Sequence, residues 1–132
     1  MKPQQQLSDS ELSRIIAEHI EPEPPDSSCV PTVDETRCWR WTHQGFTQSR
    51  AFFKAVPKDM VNDPAMTLML LAQLSELADV SIFSHLVNGK REFVVGLEAT
   101  APEIEGFHYT TSIGRSVAEA YAAANGLLKR EG

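Results

Sequence analysis

Apolar residues recur at helical spacing near the start of the chain and again near its middle. Ser8 stands three positions before Glu11, which is the spacing of a capping box, and the apolar positions that follow predict an amphipathic helix over 9–21. Asn62-Asp63-Pro64 combines a cap residue with a proline in the first helical turn, and the apolar positions after it predict a second helix that ends near Ala78.

The pattern changes to that of β-strands after the second helix. Residues 80–87 are rich in β-forming side chains, Asn88-Gly89 is typical of a two-residue hairpin turn, and the apolar run 93–97 provides the returning strand. Residues 107–111 predict a third strand of the same meander. The sequence therefore predicts a three-stranded antiparallel sheet.

A closing helix completes this arrangement. Ser116 and Glu119 have capping-box spacing, and an alanine-rich run with apolar residues on one face surrounds and follows them. The segment 62–130 is thus predicted to form an α-β-β-β-α core, with both helices covering one face of the sheet. We expect an α+β fold in a single domain over 1–132, with the N-terminal helix and an extra strand preceding the core.

The extra strand follows a connection with a different composition. Residues 22–35 are rich in proline, serine and acids, which indicates an exposed segment that is semi-rigid where the prolines cluster. The stretch 37–42 then alternates with period two, so that Trp39 and Trp41 fall on one face of a strand and Arg40 on the other.

The net charge of −6 is distributed in blocks of opposite sign. Residues 1–35 hold eight acidic residues against two basic ones, whereas residues 36–58 hold five basic residues and no acidic one, interleaved with tryptophan and phenylalanine. A basic, aromatic segment is typical of single-stranded nucleic-acid platforms and of hot spots for protein binding. Its structural interpretation is that both tryptophans are buried on the sheet while the cations pair with the acidic N-terminal block. The candidate binding residues are Arg37, Trp39, Arg40, Trp41, Arg50 and Lys54.

Composition and cysteine content disfavour several classes of function. The acidic balance counts against nucleic-acid binding over the whole surface, and the chain has neither an apolar run of membrane-spanning length nor a secretory signal, which predicts a cytoplasmic location. In a reducing compartment no disulfide between Cys29 and Cys38 is expected. With His19 and His43 these cysteines are the nearest set of zinc ligands, but no two have the spacing by which one turn presents two ligands. We predict no metal, no cofactor and no enzymatic activity.

Several short motifs, taken in chain order, resemble those of the phage ABA sandwich family. They are Leu12-x2-Ile15-Ile16-Ala17-Glu18 in the N-terminal helix, Cys38-Trp39, Asn62-Asp63-Pro64-Ala65 before a leucine-rich helix, a hairpin, and Ala118-Glu119-Ala120 in the closing helix. The resemblance covers nearly the whole chain. It implies a phage or prophage accessory protein of unassigned biochemical role, located in the cytoplasm of a bacterial host.

Residues 64–128 also resemble a double-stranded-RNA-binding domain, which has the same α-β-β-β-α order. The resemblance is strongest at Gly114-Arg115-Ser116 and in the alanine-rich helix. In that family the serine precedes lysines that grip phosphates across the major groove. Here the matching positions are Val117, Ala118 and Tyr121, all uncharged. We therefore predict no double-stranded-RNA binding tighter than the non-specific micromolar range.

The leading functional hypothesis is a non-enzymatic phage or prophage accessory protein that acts through contacts with an unknown protein partner. One alternative is a nucleic-acid-binding module that uses the segment 36–58. Another is a small acidic inhibitor of a host defence system, whose negative surface would occupy a basic nucleic-acid channel.

Strand alternation also bears on the oligomeric state. Ile82 and Leu86 share one side of their strand, whereas Phe83 and Val87 share the other, so the sheet carries apolar residues on both faces. Either the N-terminal helix and the Trp39 strand cover the second face, or a second copy does. We predict a homodimer that buries roughly 800 Å² per partner through the open sheet face or an unpaired edge strand.

Overall fold

The computed structural model describes residues 7–24, 38–47 and 50–128, and within 46–52 it describes only the backbone. The described residues form three α-helices and two antiparallel sheets, which confirms the predicted α+β fold. No helix among them is long and apolar enough to cross a bilayer. The elements are α1 (Asp9–Ile20), β1 (Trp39–Thr47), β2 (Arg50–Pro57), α2 (Pro64–Leu77), β3 (Asp79–Val87), β4 (Lys90–Glu98), β5 (Gly106–Thr110) and α3 (Ile113–Ala124).

The first two helices begin where the sequence predicts. The Ser8 Oγ accepts the backbone N–H of Glu11 at 3.1 Å, and the Glu11 carboxylate accepts the backbone N–H of Ser8 at 3.0 Å, so the capping box of α1 is complete. Asp63 caps α2 by accepting the N–H of Ala65 at 3.0 Å, and Pro64 occupies the first turn, where no intrahelical N–H is needed.

The predicted start of α3 at Ser116 is wrong. The cap is Ser112, whose Oγ accepts the N–H of Arg115 at 3.3 Å, so the helix begins one turn earlier. Ser116 is fully buried within the helix, and its Oγ donates to the Phe93 carbonyl oxygen of β4 at 3.0 Å. Serine suits both places, because its hydroxyl can bond to backbone groups at a helix start or inside the fold.

The extra strand is longer than predicted and has a partner that was not predicted. β1 pairs with β2 in an antiparallel hairpin, with a bulge between His43 and Gly45, where Gly45 adopts a φ of +126°. β2 lacks a clear period-two pattern, because Ala51-Phe52-Phe53 is a continuous apolar run.

The three-stranded sheet has the order β3-β4-β5, and its first turn is the predicted hairpin. Val87 pairs with Lys90 across Asn88 and Gly89, whose φ values are +52° and +79°. Two successive positive φ angles characterise the turn that matches the twist of a β-hairpin, and Asn-Gly accommodates them at least steric cost.

The helices lie on one side of this sheet. α2 lies against β3 and α3 against β4 and β5, as predicted, while α1 lies against α3 and β2 lies against α1. One apolar core therefore runs from the Trp39 hairpin to the sheet. Its largest fully buried side chains include Trp39, Leu12, Ile16, Met60, Leu70, Leu74 and Val95. Because α1 and the hairpin join this helical side, neither of them lies over the opposite face of the three-stranded sheet.

Candidate functional site

The β1–β2 hairpin separates the aromatic candidate residues from the basic ones. Trp39 and Trp41 share the face that carries Ala55, in agreement with the predicted alternation. Trp39 is only 1% exposed, and its Nε1 donates to the Glu21 carbonyl oxygen at 3.0 Å. Trp41 is half-buried against the same core. Trp39 is therefore a core residue in this fold and is not accessible to a partner.

The cations occupy the outer face of the hairpin. Arg40 and Lys54 are exposed there, on the side opposite the tryptophans. Burial raises the pKa of Asp59, but hydrogen bonds from Asn62 and Val61 and the charge of Arg40 outweigh it and hold that pKa below its usual value. The tryptophan rings and these cations lie on opposite faces of the hairpin, so they do not form a single surface on which bases could stack. Their alternation along the sequence is the ordinary alternation of side chains in a β-strand.

The side chains of the two remaining candidate residues in this segment are not described. Arg37 lies outside the described residues, and Arg50 is described only as the backbone at the start of β2. The cation that contacts Trp39 comes from α1: the guanidinium carbon of Arg14 lies 5.7 Å from the ring centroid, and its Nη1 pairs with Glu23 at 2.7 Å.

A different surface presents aromatic side chains to solvent. It is the face of the three-stranded sheet opposite the helices, and we call it the open face. Strand register places on it Asp79, Ser81, Phe83, His85 and Val87 of β3, Lys90, Glu92, Val94, Gly96 and Glu98 of β4, and Phe107 and Tyr109 of β5.

The aromatic residues form rows across the open face. Phe83, Val94 and Tyr109 are directly opposite one another on the three strands, and Val94 is buried between its neighbours. In the next row Phe107 covers Gly96, since a Cβ at Gly96 would lie 3.1 Å from its ring. Phe107 and Tyr109 remain 68% and 62% exposed. The open face is thus an ordered aromatic surface in contact with water.

Polar groups border the aromatic rows. His85 and Glu92 are cross-strand partners whose Nε2 and Oε1 atoms lie 3.2 Å apart, and the ring of His85 lies 6.4 Å from that of Phe83. Within the described part of the chain, no group of three or more histidine, cysteine or acidic residues could hold a metal ion. The chemistry that this surface offers is apolar contact with a polar margin, which suits binding.

The residues that resemble an RNA-binding domain have structural contacts here. Val117, Ala118 and Tyr121 are buried, so side chains at these positions face the core, and the Tyr121 hydroxyl donates to Gln73 Oε1 at 2.7 Å. Just before them, a Cβ at Gly114 would collide with the Val61 carbonyl oxygen.

Arg115 connects the first and last helices. Its Nη1 pairs with Asp9 at 2.8 Å, its Nε pairs with Glu119 at 2.6 Å, and its Nη2 donates to the Leu7 carbonyl oxygen at 2.6 Å. Burial lowers the pKa of Arg115, but the hydrogen bonds and charges of Glu119 and Asp9 more than compensate and raise it. The Gly114-Arg115-Ser116 motif thus packs α3 against α1, β4 and the loop before α2.

The open-face aromatics of β5 were not among the candidate residues from the sequence. The signal was present, because period-two alternation in 107–111 puts Phe107 and Tyr109 on one side and His108 and Thr110 on the other. The sequence alone did not predict which of the two faces of the sheet the helices cover.

No protein-family model matches this sequence, and the searches of curated proteins and of solved structures gave no match.

Proposed function

We propose that this chain is a non-enzymatic binding module that acts through protein contacts, and that the open face is its contact surface. The observation that carries the proposal is the exposed aromatic group of Phe83, Phe107 and Tyr109 around the buried Val94. Aromatic side chains bury a large area at low entropic cost, and they are enriched where protein partners bind tightly.

The charges around this surface favour a protein partner over nucleic acid. Of the open-face residues, Lys90 is basic, whereas Asp79, Glu92 and Glu98 are acidic. A single-stranded nucleic-acid platform combines aromatic stacking with a positively charged groove, because cations hold the phosphates. The open face has the aromatic part of such a platform without the positive groove.

The phage or prophage origin is part of the same proposal. It is supported by the motif resemblance from Leu12 to Ala120, and a small accessory protein that works by contact has no need of a reactive centre. The host would then supply the partner, and the aromatic surface would be the part of the chain that the partner recognises.

The test compares capture of host proteins by the full chain and by two variants. Phe107→Ser removes an exposed ring from the open face, and Leu68→Ser removes a side chain of equal exposure, 68%, from α2. We expect a host protein to be retained by the wild-type chain and by Leu68→Ser, and to be lost with Phe107→Ser. Equal retention by all three chains would contradict the assignment of the open face, and retention that disappears after nuclease treatment would favour a nucleic-acid ligand.

A further inference from the structure

The outer edge of β3 is an unprotected strand edge. β3 is nine residues long and in unbroken register with β4, whereas β5, at the opposite edge of the sheet, has five residues. Within the described residues no strand pairs with the outer edge of β3. Natural edge strands are usually shortened, bulged, or protected by lysine or proline, and β3 has none of these features.

Exposed apolar residues are concentrated along this edge. Ile82 and Leu86 are exposed on the helical side of β3, and Phe83 and Val87 are exposed on the open face. Leu77, at the end of α2 just before β3, is exposed as well. A strand that is apolar and exposed on both faces gains burial on both when another strand extends the sheet beside it.

The central part of β3 is complementary to itself in the antiparallel direction at three of its five distinct pairs. Phe83 is the midpoint of the strand, so full-length pairing of two copies sets Phe83 opposite its own counterpart. The same register sets Val80 opposite Leu86 and Ser81 opposite His85 of the second copy. Apolar residues thus meet at Phe83 and at Val80–Leu86, and polar residues meet at Ser81–His85. Ile82 lies opposite Ser84 and Asp79 opposite Val87 in this register, and all opposite residues share a face.

Charge is complementary in the same arrangement. The β3–β4 hairpin carries Asp79 and Glu98 at one end and Lys90 and Arg91 at the other. Antiparallel pairing brings the acidic end of one copy beside the basic end of the second. Asp79 and Lys90 would share the open face with about 10 Å between their Cα atoms, which a lysine side chain spans. Within the described part of the chain, none of these four residues makes an ion pair.

We propose that the chain forms a two-fold dimer in which β3 pairs with β3 of a second copy, centred on Phe83. The two three-stranded sheets join into one six-stranded antiparallel sheet with all helices on one side. The open faces of the two copies then lie side by side on the opposite side of this sheet. This inference goes beyond the proposed function, because it uses the strand edge and leaves Phe107 and Tyr109 exposed.

Sedimentation equilibrium of the full chain, from low to high micromolar concentration, tests the dimer. We expect a concentration-dependent species of twice 14.6 kDa. Leu86→Lys should weaken association at least about tenfold, because it places an ammonium group opposite Val80 of the second copy. Leu86 is 63% exposed, so this variant keeps its fold, and thermal melting verifies that.

Two controls separate this interface from the open face. Leu68→Lys introduces the same charge at a leucine of α2 with similar exposure, 68% against 63%, and should leave association unchanged. Phe107→Ser should also leave it unchanged while abolishing partner capture. A chain that stays monomeric throughout, or a dimer lost with Phe107→Ser but kept with Leu86→Lys, would overturn the proposal.

Crosslinking tests the register. In a Cys29→Ser background, Phe83→Cys brings two identical positions within the roughly 4.5–5.5 Å between Cα atoms of directly opposite residues, which a disulfide can span. Leu86→Cys is the matched control, because the two copies of position 86 would be about six residues apart along the strands. Crosslinking at 83 and not at 86 supports the two-fold register, and equal crosslinking at both contradicts it.

Charge reversal tests the orientation. Lys90→Glu should weaken the dimer at low salt by placing an acid near Asp79 of the second copy, and Asp79→Lys in the same chain should restore it. If the double variant is weaker than the single one, the acidic and basic ends do not meet.

Discussion

At the scale of single residues, period-two alternation predicted that Trp39 and Trp41 share one face of a strand, opposite Arg40. The burial of Trp39 could not be predicted, because that depends on α1, whose Arg14 lies over the ring. Strand alternation also places Arg40 on the face opposite the tryptophans. The composition of the segment, which mixes cations and aromatic residues, therefore resembles that of a binding surface although the two kinds of side chain do not share a face. Burial of Trp39 agrees with the structural interpretation for that residue, whereas Trp41 is only half-buried.

Trp39→Ala should lower the free energy of unfolding by about 3–5 kcal/mol, because it removes a fully buried aromatic side chain. Trp41→Ala should cost less, since Trp41 is only half-buried. Denaturant titration measures both values. In fluorescence, the Trp41→Phe chain, which retains Trp39, should emit at shorter wavelength than the Trp39→Phe chain. Red-shifted emission from Trp39 together with unchanged stability would show that it is a contact residue.

Gly114 is required by close contact with the backbone. Gly114→Ala should lower the free energy of unfolding by about 1–3 kcal/mol, because the new methyl group meets the Val61 carbonyl oxygen and either α3 or the loop before α2 must shift. Gly106→Ala is the control, since a Cβ there makes only one ordinary contact, 3.7 Å from His108. Equal stability of the two variants would contradict this account.

At the scale of secondary structure elements, local signals predicted most of the three-stranded core. Caps at Ser8 and Asp63 and the Asn88-Gly89 turn depend on interactions within a few residues, and these are properties of the sequence itself. β2 and the start of α3 depend on tertiary context: β2 needs β1 as its partner, and Ser116 is buried because α3 docks on β4. For the same reason, apolar alternation predicted a sheet with two apolar faces but not the face that the helices cover.

Arg115 determines how firmly α1 docks on α3. Arg115→Gln should lower the free energy of unfolding by about 1–3 kcal/mol, because it removes the partner of Asp9 and Glu119 and a donor to Leu7. Hydrogen exchange should accelerate first in α1, which loses its link to α3.

Arg91→Gln is the matched control for the docking of α1, because Arg91 is exposed and its side chain hydrogen-bonds only to the Ser84 hydroxyl among the described residues. It should change neither stability nor exchange in α1. If Arg115→Gln accelerates exchange evenly over all helices, Arg115 supports the fold as a whole and has no special role in holding α1.

At the scale of the whole molecule, the helices cover only one face of the three-stranded sheet, and the burial of His108 on that face makes the stability depend on pH. His108 belongs to the helical side of β5, whereas its neighbours Phe107 and Tyr109 lie on the open face. Burial lowers the pKa of His108 below its ordinary value of 6.5, and the nearby charge of Glu119 offsets this only in part. The folded chain therefore favours the neutral imidazole.

The sign of the pH dependence follows from proton binding. Above pH 6.5 His108 is mostly neutral in both states, and its contribution to stability is fully present. As the pH falls from 6.5 towards the lowered pKa, the unfolded chain takes up a proton that the folded chain does not, so the free energy of unfolding decreases. Below the lowered pKa both states are protonated, and the loss levels off.

Denaturant titrations at about pH 7.5 and about pH 5.5 measure this loss, and His108→Gln should reduce the difference between the two stabilities. His85→Gln, which removes an exposed histidine from the open face, is the matched control and should keep the wild-type difference. An NMR titration of the His108 ring gives the folded pKa directly. If His108→Gln loses as much stability as wild type over this range, or if the ring titrates at or above 6.5, then the helices do not desolvate this side of β5. The edge strand β5 would then be in contact with water on both faces at His108.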